Sequence, residues 1–108
     1  MYYIPRVPKD TLRYQMYRLL PIIDVLHLRI AGRSAIIIST TNGKHRPGSL
    51  HYLGLAVDLR IRDLSTDQIN ELFNELQSAL TYFCDLELKS NHIQIGRASC
   101  RERVSSPV

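Results

Sequence analysis

The chain has 108 residues, of which 44% are hydrophobic and 22% charged, and its formal net charge is +4. This length supports one small domain with a single modest core, and the composition is ordinary for a globular chain. No apolar run approaches the roughly 18 to 20 residues of a membrane-spanning helix, and the start MYYIPRVPKD lacks the layout of a secretory signal.

The N-terminal third is predicted to be an extended arm followed by helix. Residues 1–10 contain two prolines, which disfavour a regular helix and indicate an extended arm. Residues 11–20 carry apolar side chains near helical spacing, and Pro21 is expected to break that run or to open a new helix. The apolar pattern continues to Gly32, a plausible C-terminal cap. The tyrosines of this region are expected in the core, and His27 at the surface or half-buried.

Two strands joined by a loop are predicted in the middle of the chain. Residues 35–40, AIIIST, are a short β-branched run that is typical of a buried strand. Residues 40–49 contain Asn-Gly and Pro-Gly pairs, which mark a loop. Residues 55–61, LAVDLRI, predict a second strand with Asp58 in its middle. A carboxylate among such apolar neighbours is costly unless it is paired or bound to a metal.

The clearest helix is predicted over residues 65–80. Ser65 and Gln68 have the spacing of a capping box, and an apolar stripe follows at helical period. Residues 84–88 and 92–95 predict two short strands or one bent hairpin. These elements together predict a small single domain of the α+β class.

The last fourteen residues, 95–108, are predicted to be a non-native tail, and residues 1–94 a truncated domain. The segment IGRASCRERV resembles the conceptual translation of a sequencing-adapter end, and it has no helical or alternating period. The alternative is a native, basic, disordered tail. Its three arginines and one glutamate supply two of the four net positive charges, so the remainder has no nucleic-acid footprint. Cys100 also falls in the tail, which leaves Cys84 as a small buried hydrophobe.

The stretch SLHYLGLAVD, residues 49–58, carries two candidate metal ligands. His51 and Asp58 lie seven residues apart, where a turn leads into a strand, and imidazole with carboxylate is a ligand pair suited to zinc. The alternative is a capped turn and a strand aspartate held by hydrogen bonds. Three other positions would support the ligands by a hydrogen bond, a tight turn and a small side chain: Ser49, Gly54 and Ala56.

The pattern S-x-H-x-x-G-x-A-x-D resembles the first zinc-binding motif of the zinc D-Ala-D-Ala carboxypeptidases and their phage endopeptidase relatives. The resemblance covers roughly residues 35–95 and implies the Hedgehog-like fold, with helices packed on a small antiparallel sheet. It also implies a zinc metallopeptidase, a carboxypeptidase or an endolysin-type endopeptidase, that cuts D-alanine-containing bonds of peptidoglycan stem peptides. The expected protein is a phage-type monomer without a membrane span or nucleic-acid partner, made in the cytoplasm and active at the cell wall.

By the same resemblance, the third zinc ligand is the second histidine of a final H-x-H strand. Here the strand reads SNHIQI, so His92 matches the first histidine and Gln94 occupies the ligand position. One alternative is that the adapter junction has replaced a native histidine at position 94. The other is that Gln94 is native and the chain is an inactive family member, which acts as a phage structural or cell-wall-binding module. His92 shares a strand face with position 94, and would be recruited as a ligand or polarise the substrate carbonyl.

The resemblance further implies a general base and a carboxylate-binding residue. The family uses an acidic residue shortly before the last ligand as the base. Asp85 and Glu87 are the nearest carboxylates, and simple strand alternation puts both on the face opposite the final ligands. A bend at residues 89–91 would rescue Glu87, which is therefore the candidate. Arg46, in the predicted loop, is expected to grip the substrate's carboxylate with its planar fork, although a solvated loop is the alternative.

Overall fold

A computed structural model of the chain describes residues 1–3, 12–41 and 54–96. Within these ranges the chain forms five short strands and three helices, and the elements after residue 11 follow the order that the sequence patterns predict. The strands are β1 (Tyr2–Tyr3), β2 (Ile36–Ser39), β3 (Ala56–Arg60), β4 (Asp85–Leu88) and β5 (His92–Gly96). The helices are α1 (Tyr14–Tyr17), α2 (Leu20–Ala31) and α3 (Thr66–Leu80).

The five strands form one mixed sheet in the order β1-β2-β3-β5-β4. The pairs β2–β3, β3–β5 and β5–β4 are antiparallel, whereas β1 lies parallel to β2. The α+β class is confirmed, but the expectation of a purely antiparallel sheet is wrong at this edge. The N-terminal arm adds a parallel strand there, and the Tyr2 N–H donates to the Ala35 carbonyl oxygen at 2.8 Å.

The helix boundaries follow the local signals in the sequence. Pro21 lies in the first turn of α2, where its missing N–H costs nothing. Gly32 ends α2 in the left-handed region with φ of 78°, and its N–H donates to the Leu28 carbonyl oxygen. At the start of α3, Ser65 and Gln68 form the predicted capping box, with hydrogen bonds of 3.1 and 3.0 Å. These predictions are confirmed.

One face of the sheet carries the core. Apolar side chains of three strands and of all three helices are fully buried in a single cluster. Cys84 is buried with them, as predicted. The cluster includes Ile37, Val57, Leu59, Ile93 and Ile95 from the sheet, and Met16, Ile23, Leu72, Leu76 and Leu80 from the helices.

Two expectations for the N-terminal third are wrong. His27 is only 2% exposed. Nδ1 of its ring lies 2.8 Å from the carbonyl oxygen of Arg33, which follows the end of α2. Tyr14 and Tyr17 are 73% and 55% exposed, so neither belongs to the core. Helix α1 is a single turn and buries only Met16, which leaves its other side chains in solvent.

The sheet extends past the predicted start of the tail. Ile95 is fully buried and pairs with Val57 and Leu86, and Gly96 is the last residue of β5. Both residues therefore belong to the fold. The rest of the predicted tail, residues 97–108, lies outside the described residues. In the parts of the chain that the structure describes, no helix is long and apolar enough to cross a membrane.

Asp24 links the N-terminus to α2 and β2. Its Oδ1 accepts the Ala35 N–H at 2.9 Å, and its Oδ2 lies 3.1 Å from the Met1 ammonium group. Burial by itself raises the pKa of Asp24. The Ala35 hydrogen bond and the Met1 ammonium lower this pKa by more than burial raises it, so the net pKa lies below the ordinary 3.8. The ionised carboxylate is therefore the form that stabilises the fold.

Replacing Asp24 by asparagine is expected to lower the free energy of unfolding at pH 7 by about 1 kcal/mol. The wild-type advantage is complete above the unfolded-state pKa near 3.8, and is lost as the pH falls through the lower folded-state pKa. Urea unfolding of both proteins from pH 7 down to pH 2 measures this difference. A gap that stays constant across the range would contradict the assigned role of the Asp24 charge.

Candidate metal site on the polar face of the sheet

The sheet face opposite the core is polar along β3 and β5. Directly paired residues of antiparallel strands share a face, and the residues between them on each strand point to the core. We call this surface the polar face. Its pairs along β3 and β5 are, in order, Ala56–Gly96, Asp58–Gln94 and Arg60–His92.

Asp58 lies at the centre of the polar face and is only 7% exposed. A buried carboxylate is stable only where a cation or hydrogen-bond donors compensate for the lost water. Its Oδ1 lies 3.6 Å from Nε2 of His92, which is its diagonal neighbour on β5. The pairing of β3 with β5 thus brings together two candidate residues that are far apart in the sequence.

The second ring nitrogen of His92 is held by a neighbouring amide. Nδ1 of His92 lies 2.6 Å from Oδ1 of Asn91, which accepts the Nδ1 proton, so in the neutral ring Nε2 carries the lone pair. Histidines that bind metals usually donate their other N–H in this way. The side-chain amide of Asn91 therefore orients the ring so that Nε2 is the nitrogen nearest Asp58.

The separation between Asp58 and His92 fits a shared zinc ion. A nitrogen and an oxygen that bind one tetrahedral zinc lie about 3.4 Å apart, close to the 3.6 Å observed here. The same contact is an ion pair when the imidazole is protonated, and the two states differ in whether Nε2 carries a proton. When Nε2 carries no proton, its lone pair and the carboxylate oxygen repel each other, and a cation between them would offset that repulsion.

Gln94 lies directly opposite Asp58 on one side and Glu87 on the other. Its side chain is half-buried, and no hydrogen bond of its amide is found among the described residues. The three residues form a row across β3, β5 and β4, with the amide between two carboxylates. A histidine at position 94 would therefore lie beside Asp58.

Glu87 lies on the polar face, because the turn at residues 89–91 reverses the result of simple alternation, as the expected bend there predicts. Residues 85–88 and 92–96 are separate strands of a hairpin, closed by the Lys89 N–H to the His92 carbonyl oxygen at 2.8 Å, and counting by twos fails across the turn. Glu87 is 62% exposed on the edge strand, and Lys89 Nζ lies 3.3 Å from its Oε2. Two strand spacings of about 4.8 Å separate its backbone from that of Asp58.

Gly54 of the motif has the turn conformation expected of it, and Ala56 is the small residue between Gly54 and Asp58. Gly54 has φ of 72°, a conformation that favours glycine, and its carbonyl oxygen accepts the Arg13 N–H at 2.8 Å. Ala56 is fully buried on the polar face two residues before Asp58, so a larger side chain there would crowd the carboxylate. The turn that precedes β3 is thereby fixed against the start of α1.

The other predicted site residues lie outside the described residues. His51, Ser49 and Arg46 all fall in the range 42–53. Among residues 1–3, 12–41 and 54–96, no group of three His, Cys, Asp or Glu side chains is placed to hold a metal ion. The described part of the candidate site therefore consists of Asp58 and His92.

Sequence reasoning missed Arg60, which pairs with His92 at the end of the polar face. A signal was available, because Arg60 follows Asp58 by two residues and so shares its strand face. Sequence reasoning also missed a β-bulge at Ile38, where the register between β2 and β3 shifts. Such a bulge has no signature in a run of three isoleucines.

No protein-family model, curated protein or solved structure matches this chain. Its function is therefore inferred from its own residues.

Proposed function

We propose that the chain is a zinc metallopeptidase that hydrolyses D-alanine-containing peptide bonds of bacterial peptidoglycan. The observation that carries this proposal is the 3.6 Å separation of Asp58 Oδ1 and His92 Nε2 on a buried, polar part of the sheet. The pattern S-x-H-x-x-G-x-A-x-D supplies the remaining support, because it resembles the first zinc motif of such peptidases.

Asp58 and His92 would hold the zinc ion together with His51 of the motif. A bound zinc ion activates water for attack on a peptide carbonyl and polarises the carbonyl oxygen. The chain contributes rigidity, since Asp58 and His92 stand on adjacent strands. It also contributes the contact between Nδ1 of His92 and Asn91, which in the neutral ring would hold the proton on Nδ1 and leave the Nε2 lone pair for the zinc ion.

Glu87 is the candidate proton acceptor on the polar face. Its carboxylate lies in the same cross-strand row as Asp58, with Gln94 between them. To accept a proton beside the metal ligands, the Glu87 side chain would leave Lys89 Nζ and turn inward over Gln94. Its exposure leaves room for such a rotation.

A second candidate function is a non-catalytic cell-wall-binding or phage structural module. It is favoured by Gln94, since an amide oxygen is a weaker zinc ligand than the imidazole expected at that position. It is also favoured by the exposed, lysine-bound state of Glu87. The two functions differ in whether position 94 limits zinc binding and hydrolysis.

Replacing Gln94 by histidine is expected to raise zinc affinity by about tenfold or more, because an imidazole is added beside Asp58. The zinc-loaded Q94H protein is expected to release D-alanine or a shortened stem peptide from purified muropeptides. Zinc affinity is measured by competition with a chromogenic chelator, and hydrolysis by chromatography of the products.

The matched control is Gln77→His, which makes the same change at an exposed position of α3. Q77H is expected to behave like the wild type in both assays. If Q94H binds zinc no more tightly than Q77H and cleaves no muropeptide, the metallopeptidase proposal is wrong.

A further inference from the structure

The outward side of α1 and α2 is an exposed and mostly apolar face. Arg18 and Leu19, which join the two helices, both keep right-handed helical backbone angles, so α1 and α2 run on as nearly one helix. Along this run exposed side chains recur every three or four residues, which is the spacing of one helix face. We call this face the outer stripe. It consists of Tyr14, Tyr17, Arg18, Pro21, Ile22, Val25, Leu28 and Arg29.

The outer stripe is unusual because the solvent side of a surface helix is normally polar. Val25 and Leu28 are 61% and 50% exposed in the middle of α2. The neighbouring helix α3 has a polar exposed side, formed by Thr66, Asp67, Asn70, Glu71, Asn74, Glu75, Gln77, Ser78 and Ala79. The apolar stripe is therefore a property of the N-terminal helices and not of the whole helical layer. Exposed apolar patches of this kind mark interaction sites.

The charge around the outer stripe is positive. Arg18 and Arg29 lie within the stripe, and Arg13 is exposed at its start. Residues 1–33 contain six basic and two acidic residues, a net charge of +4, whereas residues 34–96 contain five basic and seven acidic residues, a net charge of −2. The chain therefore concentrates positive charge in the same segment that exposes apolar side chains.

The acidic groups described near the stripe do not cancel this charge. Both carboxylate oxygens of Asp24 are occupied by the contacts with Met1 and Ala35. Glu75 of α3 lies 3.2 Å from Nη2 of Arg29, in an exposed pair that solvent weakens. The stripe thus presents an apolar surface with a net positive charge.

We infer that the outer stripe binds the surface of a membrane that contains anionic lipids. Aliphatic side chains on one helix face, with tyrosines and arginines beside them, are the composition of a helix that lies in a membrane interface. The apolar groups enter the boundary between headgroups and acyl chains, and the tyrosines remain at headgroup level. The arginines bind the lipid phosphates.

Charge disfavours a second copy of the chain as the occupant. Two antiparallel copies that cross between Ile22 and Val25 would put Arg18 of each copy opposite Arg29 of the other. Parallel copies would put each arginine opposite itself. Like charges in contact weaken an interface, whereas lipid phosphates neutralise both arginines.

Binding through the outer stripe would direct the polar face of the sheet away from the lipid. Ile23 and Leu26, on the inward side of α2, belong to the core that covers the opposite face of the sheet. Asp58 and His92 would therefore not compete with lipid for the same surface. The inference does not depend on the proposed function.

The test uses the full chain and two kinds of large vesicle, one of phosphatidylcholine alone and one of equimolar phosphatidylglycerol and phosphatidylcholine. The protein is expected to sediment with the anionic vesicles, with an affinity about tenfold or more above that for the neutral vesicles. Added salt is expected to weaken this binding.

Val25→Asp is expected to weaken binding to the anionic vesicles by more than about tenfold, because it removes an apolar contact and adds a negative charge. R18Q is expected to weaken it by about fivefold. R18K keeps the charge and is expected to retain the affinity, which separates the charge of Arg18 from its contact with the ring of Phe83. The matched control N70D adds the same negative charge on the exposed side of α3 and is expected to bind like the wild type.

Equal binding to both kinds of vesicle, or binding to neither, would overturn the inference. Unchanged binding in V25D and R18Q proteins that circular dichroism shows to be folded would also overturn it. Sedimentation velocity without vesicles tests the second copy. A wild-type dimer that V25D dissociates would assign the outer stripe to self-association instead of lipid.

Discussion

Replacing Asp58 by asparagine is expected to weaken zinc binding by more than about 100-fold, since removing even an indirect partner of a ligand costs about 10- to 100-fold. Asparagine has nearly the same size and shape as aspartate but lacks the charge that a zinc ligand supplies. Asp58 is 7% exposed at the centre of the polar face. A carboxylate on the protein surface is therefore not expected to replace it as a zinc ligand. Competition with a chromogenic chelator measures the change.

The matched control for this prediction is Asp85→Asn. Asp85 is an exposed carboxylate on β4, and its partner Gly96 places it on the polar face. D85N is expected to bind zinc like the wild type, whereas a shared loss in both variants would indicate a general effect of negative charge. Retention of wild-type affinity by a folded D58N protein would rule out Asp58 as a ligand.

Replacing Leu76 by alanine is expected to lower the free energy of unfolding by about 2 to 5 kcal/mol. Leu76 is fully buried in the middle of the α3 stripe, so its loss leaves a cavity between helix and sheet. The polar face is on the other side of the sheet, and the folded fraction of L76A is expected to bind zinc normally. Urea unfolding and zinc titration on the same sample measure both quantities.

Leu88→Ala is the control for this core substitution. Leu88 is 42% exposed on the edge strand, so its truncation is expected to cost much less than that of Leu76. Equal destabilisation by the two substitutions would contradict the assignment of the core to the α3 side of the sheet. A loss of zinc binding in folded L76A would contradict the separation of the two faces.

Features set by neighbouring residues were predicted well. Ser65 and Gln68 cap α3, Pro21 opens α2 and Gly32 ends it, because each signal acts within one helical turn. The position of Asp58 inside an apolar strand was also predicted, because the flanking residues have the composition of a strand.

Most features that depend on pairing over long distances were not predicted. The face of Glu87 depends on the register of the hairpin, which the expected bend indicates but counting through the turn does not give. The parallel strand β1 is two residues long and depends on its contact with β2. His27 is buried because a turn beyond its helix offers it a carbonyl oxygen, and this turn has no marker near His27 in the sequence.

The contact between Asp58 and His92 combines both kinds of feature. The sequence pattern singles out each residue, but only the alignment of β3 with β5 makes them diagonal neighbours. The same alignment puts Arg60 beside His92 and Gln94 beside Asp58. The chemistry of the polar face is therefore decided by the register of these two strands.

The most direct test is a zinc titration of the full chain followed by ¹⁵N NMR of its four histidine rings. One equivalent of zinc is expected to move Nε2 of His92 to the shift of a metal-bound nitrogen, while Nδ1 stays protonated. The buried ring of His27 is an internal reference and is expected to remain unchanged. If the ¹⁵N chemical shift of His92 Nε2 does not change at saturating zinc, Asp58 and His92 do not form a zinc site. The same conclusion holds if zinc changes this shift equally in the D58N protein.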